Sequence, residues 1–209
     1  MRKLASAFIL TLALAFATAA SAAPATWTID PNHSEVGFSI RHFFSKVPGT
    51  FGKFSGSVVY DPQKPENSSV KADIDPASID TKNEKRDNHL RSEDFFDVTK
   101  FPALTFVSTK VTAAGENKLK VDGNLTMHGV TKPVTLDVTF LGAGPSREGE
   151  QRSGFEATTK INRKDFGILW NKTLDQGGTM LGDDVTLEIT VEAKTPPAPK
   201  PAETAATSK

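Results

Sequence analysis

Histidines are the residues of this sequence best suited to chemistry near neutral pH, because an unperturbed imidazole titrates at about pH 6.5. The sequence holds four, His33, His42, His89 and His128, and they lie on separate segments. Two metal ligands on one strand need i, i+2 spacing and two on a helix need i, i+4 spacing, and neither occurs. We therefore predict no metal site, since one could form only by assembly from distant segments. We expect His33 and His128 at strand ends or turns with hydrogen bonds to the backbone, and His89 in solvent.

His42 is set apart by its position at the end of an apolar strand pattern. Val36, Phe38 and Ile40 alternate with polar or small residues in EVGFSIRH, and His42 takes the next position on the same face. No G-x-S-x-G motif accompanies it, and Ser39 points to the opposite face of the strand. The pattern leaves two interpretations open: a hydrogen-bonded histidine within a core, or a polar group that faces a functional interior.

The same alternation recurs along the chain and predicts antiparallel β-strands with one buried face each. It is seen in KLKVDGNLTM, VTLDVTF and VTLEITVEA, which are separated by turn-forming stretches such as LGAGPSREGE. The fold class is therefore all-β, and alternation alone allows a sandwich, a soluble barrel or an outer-membrane barrel. Two Trp and one Tyr are too few for aromatic girdles, so we expect no stable membrane insertion.

One segment departs from the two-residue period. Thr81 and Glu84 have the spacing of a capping box, and KNEKRDNHLR after Thr81 is predicted to form a short helix between strands. Leu90 is almost its only apolar residue. The helix is therefore expected to lie across an edge or an open end of the sheet.

The two ends of the chain differ from its centre. Arg2 and Lys3, an apolar run over residues 4–16 and an A-x-A sequence ending at Ala22 are typical of a secretory signal peptide, predicted for residues 1–22. We therefore expect export to the periplasm.

The remaining chain is predicted to hold one domain and a tail. Residues 195–209 are rich in Pro and Ala and are predicted to be disordered, which leaves 23–194 as a single β-domain. The 25 basic residues balance the 25 acidic ones without any basic block, so no nucleic-acid partner is expected. Cys is absent, which excludes disulfides, thiolate metal sites and Cys nucleophiles.

Phenylalanine dominates the aromatic residues. Of the 14 Phe, all but Phe8 and Phe16 lie beyond the predicted signal peptide, and they cluster in GFSIRHFF, TFGKF, DFFDVTKFPALTF and RKDFGILW. Because Phe has no polar group, such clusters indicate dry space. That space is either a packed core or a cavity for an apolar ligand.

Sequence blocks over nearly the whole predicted domain resemble the YceI-like family of exported bacterial proteins. The blocks are WTIDPNHSEVGFSIRH, GTFGKFSG, RDNHLRSEDFFDVTKFPALTF, LTMHGVTKPVTLDV, INRKDFGILW and VTLEITVEA, in this order. The resemblance implies an extended, lipocalin-like antiparallel β-barrel whose interior holds an isoprenoid lipid, either polyprenyl or quinone-type. It implies no catalytic cofactor and no established reaction. The tail from Thr195 lies outside the resemblance.

A periplasmic binding or carrier protein is accordingly the leading functional hypothesis. Its predicted ligand-binding residues are the inward-facing and aromatic positions Val36, Phe38, Ile40, His42, Phe54, Val58, Leu104, Phe106, Leu125, Phe166 and Trp170. Two alternatives stay open: an enzyme that acts on the bound lipid with His42 as acid or base, and a packed structural or stress-response barrel without ligand. The lipid's identity, the delivery partner and a possible homodimer are not determined by the sequence.

Overall fold

The computed structural model describes residues 25–146, 149–174 and 177–195. The predicted signal peptide, and the predicted disordered tail beyond Thr195, lie outside the described residues. Within them, no helix combines the length and the apolar character that a membrane crossing requires.

The described chain forms strands of very different length with one α-helix between them. The helix α1 spans Glu84–Arg91. The strands are β1 (Ala25–Ile29), β2 (Glu35–His42), β3 (Ser45–Phe51), β4 (Phe54–Tyr60), β5 (Ser69–Ile74), β6 (Ile79–Asp80), β7 (Leu104–Gly115), β8 (Lys118–Met127), β9 (Val130–Pro145), β10 (Gln151–Asn162) and β11 (Leu181–Lys194). Short 3-10 helices occupy Pro31–His33, Pro65–Asn67, Pro76–Ser78 and Arg163–Phe166.

All pairings between these strands are antiparallel, and they close a barrel. The closed order is β1, β4, β5, β7, β8, β9, β10 and β11, with β11 returning to β1. Strand β11 is shared, because Ala193 and Lys194 pair with β1 whereas residues 181–190 pair with β2. Strands β2, β3 and β6 thereby prolong the wall at one end. The predicted all-β barrel with one short helix is confirmed.

In strand β8, alternate side chains face the interior of the barrel and the solvent. Leu119, Val121, Leu125 and Met127 are buried, whereas the lysines and Asn124 between them are exposed. Gly123 completes the buried face, and a Cβ at this position would lie 2.4 Å from the Phe106 ring of β7. The glycine therefore makes room for Phe106 within the barrel.

The start of α1 differs from the sequence-based prediction. Asn83 is the N-cap, since its Oδ1 accepts a hydrogen bond from the Arg86 N–H at 3.0 Å. Thr81 is buried instead, where its N–H and its hydroxyl both donate to the buried Asp87 carboxylate. The predicted capping box is wrong, because Thr81 satisfies the buried Asp87 carboxylate instead of the first amides of the helix.

Asp30, after β1, is a buried carboxylate contacted by an imidazole and two basic side chains. His33 Nδ1 lies 3.1 Å, Arg152 Nη1 3.3 Å and Lys194 Nζ 3.5 Å from its Oδ2. His33 lies in the turn after β1, as predicted, but its ring contacts a carboxylate instead of the backbone. Although Asp30, His33 and Glu192 have ligand-type atoms within 4.8 Å of one another, the two neighbouring cations oppose binding of a metal ion.

We expect this network to make folding stability depend on acid pH. Burial raises the pKa of Asp30, but hydrogen bonds from His33 and the Asn32 N–H and the charge of Lys194 outweigh it and hold the pKa below its usual value. The stabilisation is present above the unfolded value of about 3.9 and is lost as pH falls through the folded pKa. Urea unfolding at a series of pH values should show stability falling below about pH 4, less steeply in Asp30→Asn. Equal slopes in the two proteins would contradict this account.

Candidate functional site

The barrel contains a cavity of about 590 Å³ that is lined almost entirely by apolar side chains. Its extent is clearest along β11, where Leu181, Val185, Leu187, Ile189 and Val191 all face it. The irregularity between Leu181 and Val185 lets β11 advance there only as far as two residues of β2, so at about 3.3 Å per residue these positions span about 26 Å. The interior is thus a long, narrow space rather than a packed core, which argues against the packed-barrel alternative.

Ten of the eleven residues predicted from the sequence line this cavity. They are Val36, Phe38, Ile40, His42, Phe54, Val58, Leu104, Phe106, Leu125 and Trp170. Phe166 does not. It is 2% exposed on the 3-10 helix Arg163–Phe166 and packs within the surrounding core. Its place in the Phe-rich block RKDFGILW did not reveal that its ring lies behind the cavity wall.

Many lining residues were not predicted, although most carried a usable signal. On β8, β9 and β11 they occupy the same apolar phase that predicted the strands, and they include Leu119, Val121, Leu136, Val185, Leu187 and Ile189. The residues at α1 carried no such signal. Thr81, Asn83, Lys85, Arg86 and His89 also line the cavity and give one end of it a polar character.

His89 is part of an aromatic group at this end. Its ring contacts those of Phe95 and Trp170 edge-to-face, with centroids 5.0 and 4.9 Å away, and its Nε2 lies 2.7 Å from the Asp94 carboxylate. The expectation of a solvated helix residue holds only in part, since 40% of the side chain is exposed but the ring also packs on two aromatic rings. Helical periodicity could not reveal this contact, because Trp170 is distant in sequence.

His42 lies at the end of β2, opposite Leu181 of β11. Its ring packs edge-to-face on Phe43 with centroids 4.8 Å apart. Within the described residues, no carboxylate is hydrogen-bonded to this ring to orient it. The residue is thus placed as a polar group on an apolar wall, without the partner that acid–base catalysis ordinarily uses.

Arg163 anchors the segment that follows the last 3-10 helix. Its side chain is 3% exposed, and it donates to the carbonyls of Gly182 at 2.9 Å, Ile168 at 2.8 Å and Trp170 at 2.7 Å. Burial lowers the pKa of its guanidinium, and the charge of Asp183 partly offsets that effect. Arg163 thereby fixes Trp170 against the cavity.

His128 occupies the tight turn between β8 and β9. Its Nδ1 lies 3.2 Å from the Phe166 carbonyl oxygen, and its φ is +52°. The predicted backbone hydrogen bond at a turn is confirmed. His128 therefore joins this turn to the 3-10 helix instead of facing the cavity.

Comparisons with known proteins show which family the chain belongs to. A family model described as a YceI-like domain matches residues 27–193 of this chain. The protein belongs to the YceI-like family. A relative from Pseudomonas putida, a UPF0312 protein, is 41% identical over 186 residues, which cover 88% of this chain and 93% of the relative.

Solved structures related to this YceI-like protein include BcnA of Burkholderia cenocepacia. It has a TM-score of 0.70 and 29% identity, and the match covers 78% of this chain and 98% of BcnA. A polyisoprenoid binding domain from Saccharophagus degradans has a TM-score of 0.58 at 15% identity, covering 81% and 98% of the two chains. The latter likeness shows a shared fold.

Proposed function

We propose that this YceI-like protein binds and carries a long isoprenoid lipid in the periplasm, with the chain in the barrel cavity. The observation that carries the proposal is the length of the apolar lining, about 26 Å along β11. A compact ligand needs a rounded cavity, whereas an extended hydrocarbon chain fits a narrow one. The name of the Saccharophagus degradans domain, which has this fold, supports the same ligand class.

Burial of hydrocarbon is sufficient to account for binding. Each buried CH₂ contributes about 0.8 kcal/mol, so about three five-carbon isoprene units provide roughly 12 kcal/mol before the costs of association. Loss of translational and conformational freedom offsets part of this gain. The wall therefore needs no charged contact with the chain.

A polar head group is best accommodated at the end formed by α1 and His42. Asn83, Lys85, Arg86 and His89 line the cavity there. The opposite end holds an aromatic cluster in which the rings of Tyr60 and Phe140 lie 4.7 Å apart. We therefore orient the lipid with its polyprenyl-phosphate or quinone-type head at the α1 end and its chain towards the aromatic cluster.

Native mass spectrometry of gently purified protein tests the proposal. We expect a mass increment that matches one isoprenoid lipid, confirmed by organic extraction, and a higher melting temperature than that of the delipidated protein. The same spectrum reports whether the protein is a homodimer. Recovery of protein without lipid, together with no change in melting when an isoprenoid quinone is added, would refute the proposal.

A further inference from the structure

The turn between β2 and β3 exposes two consecutive phenylalanines. Phe44 is 105% exposed and Phe43 is 38% exposed. Phe43 also adopts a φ of +51°, a left-handed conformation that is uncommon for a bulky residue. The folded protein does not cover the side chain of Phe44. Its exposure therefore points to a partner outside the chain.

A third apolar side chain lies on the neighbouring segment. Leu169 is 64% exposed, although both adjacent residues, Ile168 and Trp170, are held by Arg163. Asn171 then donates to the carbonyl of Leu181 at 2.8 Å, and Leu181 is the partner of His42 on β2. The segment carrying Leu169 therefore adjoins the end of the hairpin that carries Phe43 and Phe44.

Three basic residues lie close to these side chains. Arg41 and Lys46 face each other across the hairpin, and Lys172 follows Leu169 on the neighbouring segment. Residues 41–46 and 167–174 contain no acidic residue. Asp183, which adjoins them, is bound by Lys164 at 2.9 Å. The surface therefore combines exposed hydrocarbon with basic groups.

This surface borders the α1 end of the cavity. His42 and Met180 both line the cavity, and the Phe43 N–H donates to the Met180 carbonyl at 2.9 Å. A flat partner that contacts Phe44 would consequently lie against the end of the cavity where the head group is placed. Such a location suits a surface from which lipid enters or leaves.

We propose that Phe43, Phe44 and Leu169, here called the docking tip, bind reversibly to the surface of an anionic lipid bilayer. Aromatic rings favour the interfacial region of a bilayer, and Arg41, Lys46 and Lys172 match anionic head groups. The few apolar groups involved favour reversible attachment over permanent anchoring. This inference goes beyond the proposed function, because vesicle binding does not depend on which lipid fills the cavity.

Flotation of the full-length mature protein with lipid vesicles tests the apolar part of the tip. The parent protein is expected to float with vesicles of phosphatidylethanolamine and phosphatidylglycerol, and less with phosphatidylcholine vesicles. Phe44→Ser should bind about tenfold more weakly, because one aromatic side chain loses its apolar environment. Leu141→Ser is the matched control, since Leu141 is 55% exposed on β9 near Phe155, away from the tip.

Lys46→Gln tests the electrostatic part. Binding to phosphatidylglycerol vesicles should fall about fivefold, whereas binding to phosphatidylcholine vesicles should not change. Lys71→Gln, an exposed change on β5, is the control and should bind like the parent.

Three results would overturn the inference: a parent that binds neither vesicle type, a Phe44→Ser variant that binds like the parent, or an equal loss in Leu141→Ser. A parent dimer that Phe44→Ser converts to a monomer, without vesicle binding, would assign the surface to a second copy of the chain. Lipid extracted from Phe44→Ser should match that from the parent. The docking tip and the cavity can therefore fail or succeed independently.

Discussion

Ala157→Phe is expected to weaken binding of the proposed isoprenoid lipid severely while leaving the barrel folded. Ala157 is 8% exposed on β10, and its register partners Val138 and Ile189 also line the cavity. A phenyl ring at this position would occupy space that the chain needs. Excluding one five-carbon unit removes about 4 kcal/mol of apolar burial, which corresponds to roughly a thousandfold loss of affinity.

The measurement is the amount of lipid that copurifies with each variant, with melting temperature as the test of folding. Thr158→Phe is the matched control, because Thr158 is the next residue of β10 and is exposed outside the barrel. Ala72→Phe on β5 places a ring in the cavity from another strand. It therefore tests the same effect even if Ala157→Phe itself does not fold. Folded Ala157→Phe and Ala72→Phe proteins that retain the parent's lipid content would show that the chain lies elsewhere.

Arg163→Met should lower the free energy of unfolding by about 3 kcal/mol, because three backbone carbonyls lose a buried donor at about 1 kcal/mol or more each. The acceptors are the carbonyls of Gly182, Ile168 and Trp170. Trp170 should also become less ordered, since its position depends on this anchor. Urea denaturation gives the free energy, and Trp fluorescence anisotropy reports on the order of the indole rings.

Two further variants separate the role of the guanidinium from that of its charge. Arg163→Lys keeps the charge but loses the forked donors, so we expect most of the destabilisation to remain. Lys164→Met removes the neighbouring exposed cation, which contacts the same Asp183 carboxylate, and should cost less than about 1 kcal/mol. A loss in Arg163→Met no larger than that in Lys164→Met would contradict the anchoring role.

Strand positions and their buried faces could be predicted from the sequence because they depend on neighbouring residues. Side chains two apart lie on one face of a strand, so Val36, Phe38, Ile40 and His42 could be assigned to one side without knowledge of any partner strand. The structure places all four on the cavity. By the same rule, the residues of β8 that line the cavity could be identified from the sequence alone.

This rule cannot predict contacts between segments that are distant in sequence. His89 meets Trp170 because the ends of the strands and α1 converge only in the closed barrel. Thr81 bonds to Asp87, a nearby residue of the same segment, so the wrong capping box was a local error. Phe166, in contrast, was predicted to line the cavity and does not. Its aromatic character indicated dry space but could not separate the cavity wall from the core behind it.

The sequence by itself determined the all-β class, the faces of the strands and, through its ordered blocks, the resemblance to the YceI-like family. Only the tertiary structure decided that β11 divides its pairing between β1 and β2, that an elongated cavity remains, and that α1 supplies its polar end. The physical reason is that alternation is a local property of a chain. Closure of a barrel and the space left inside it depend on how strands far apart in sequence pack together.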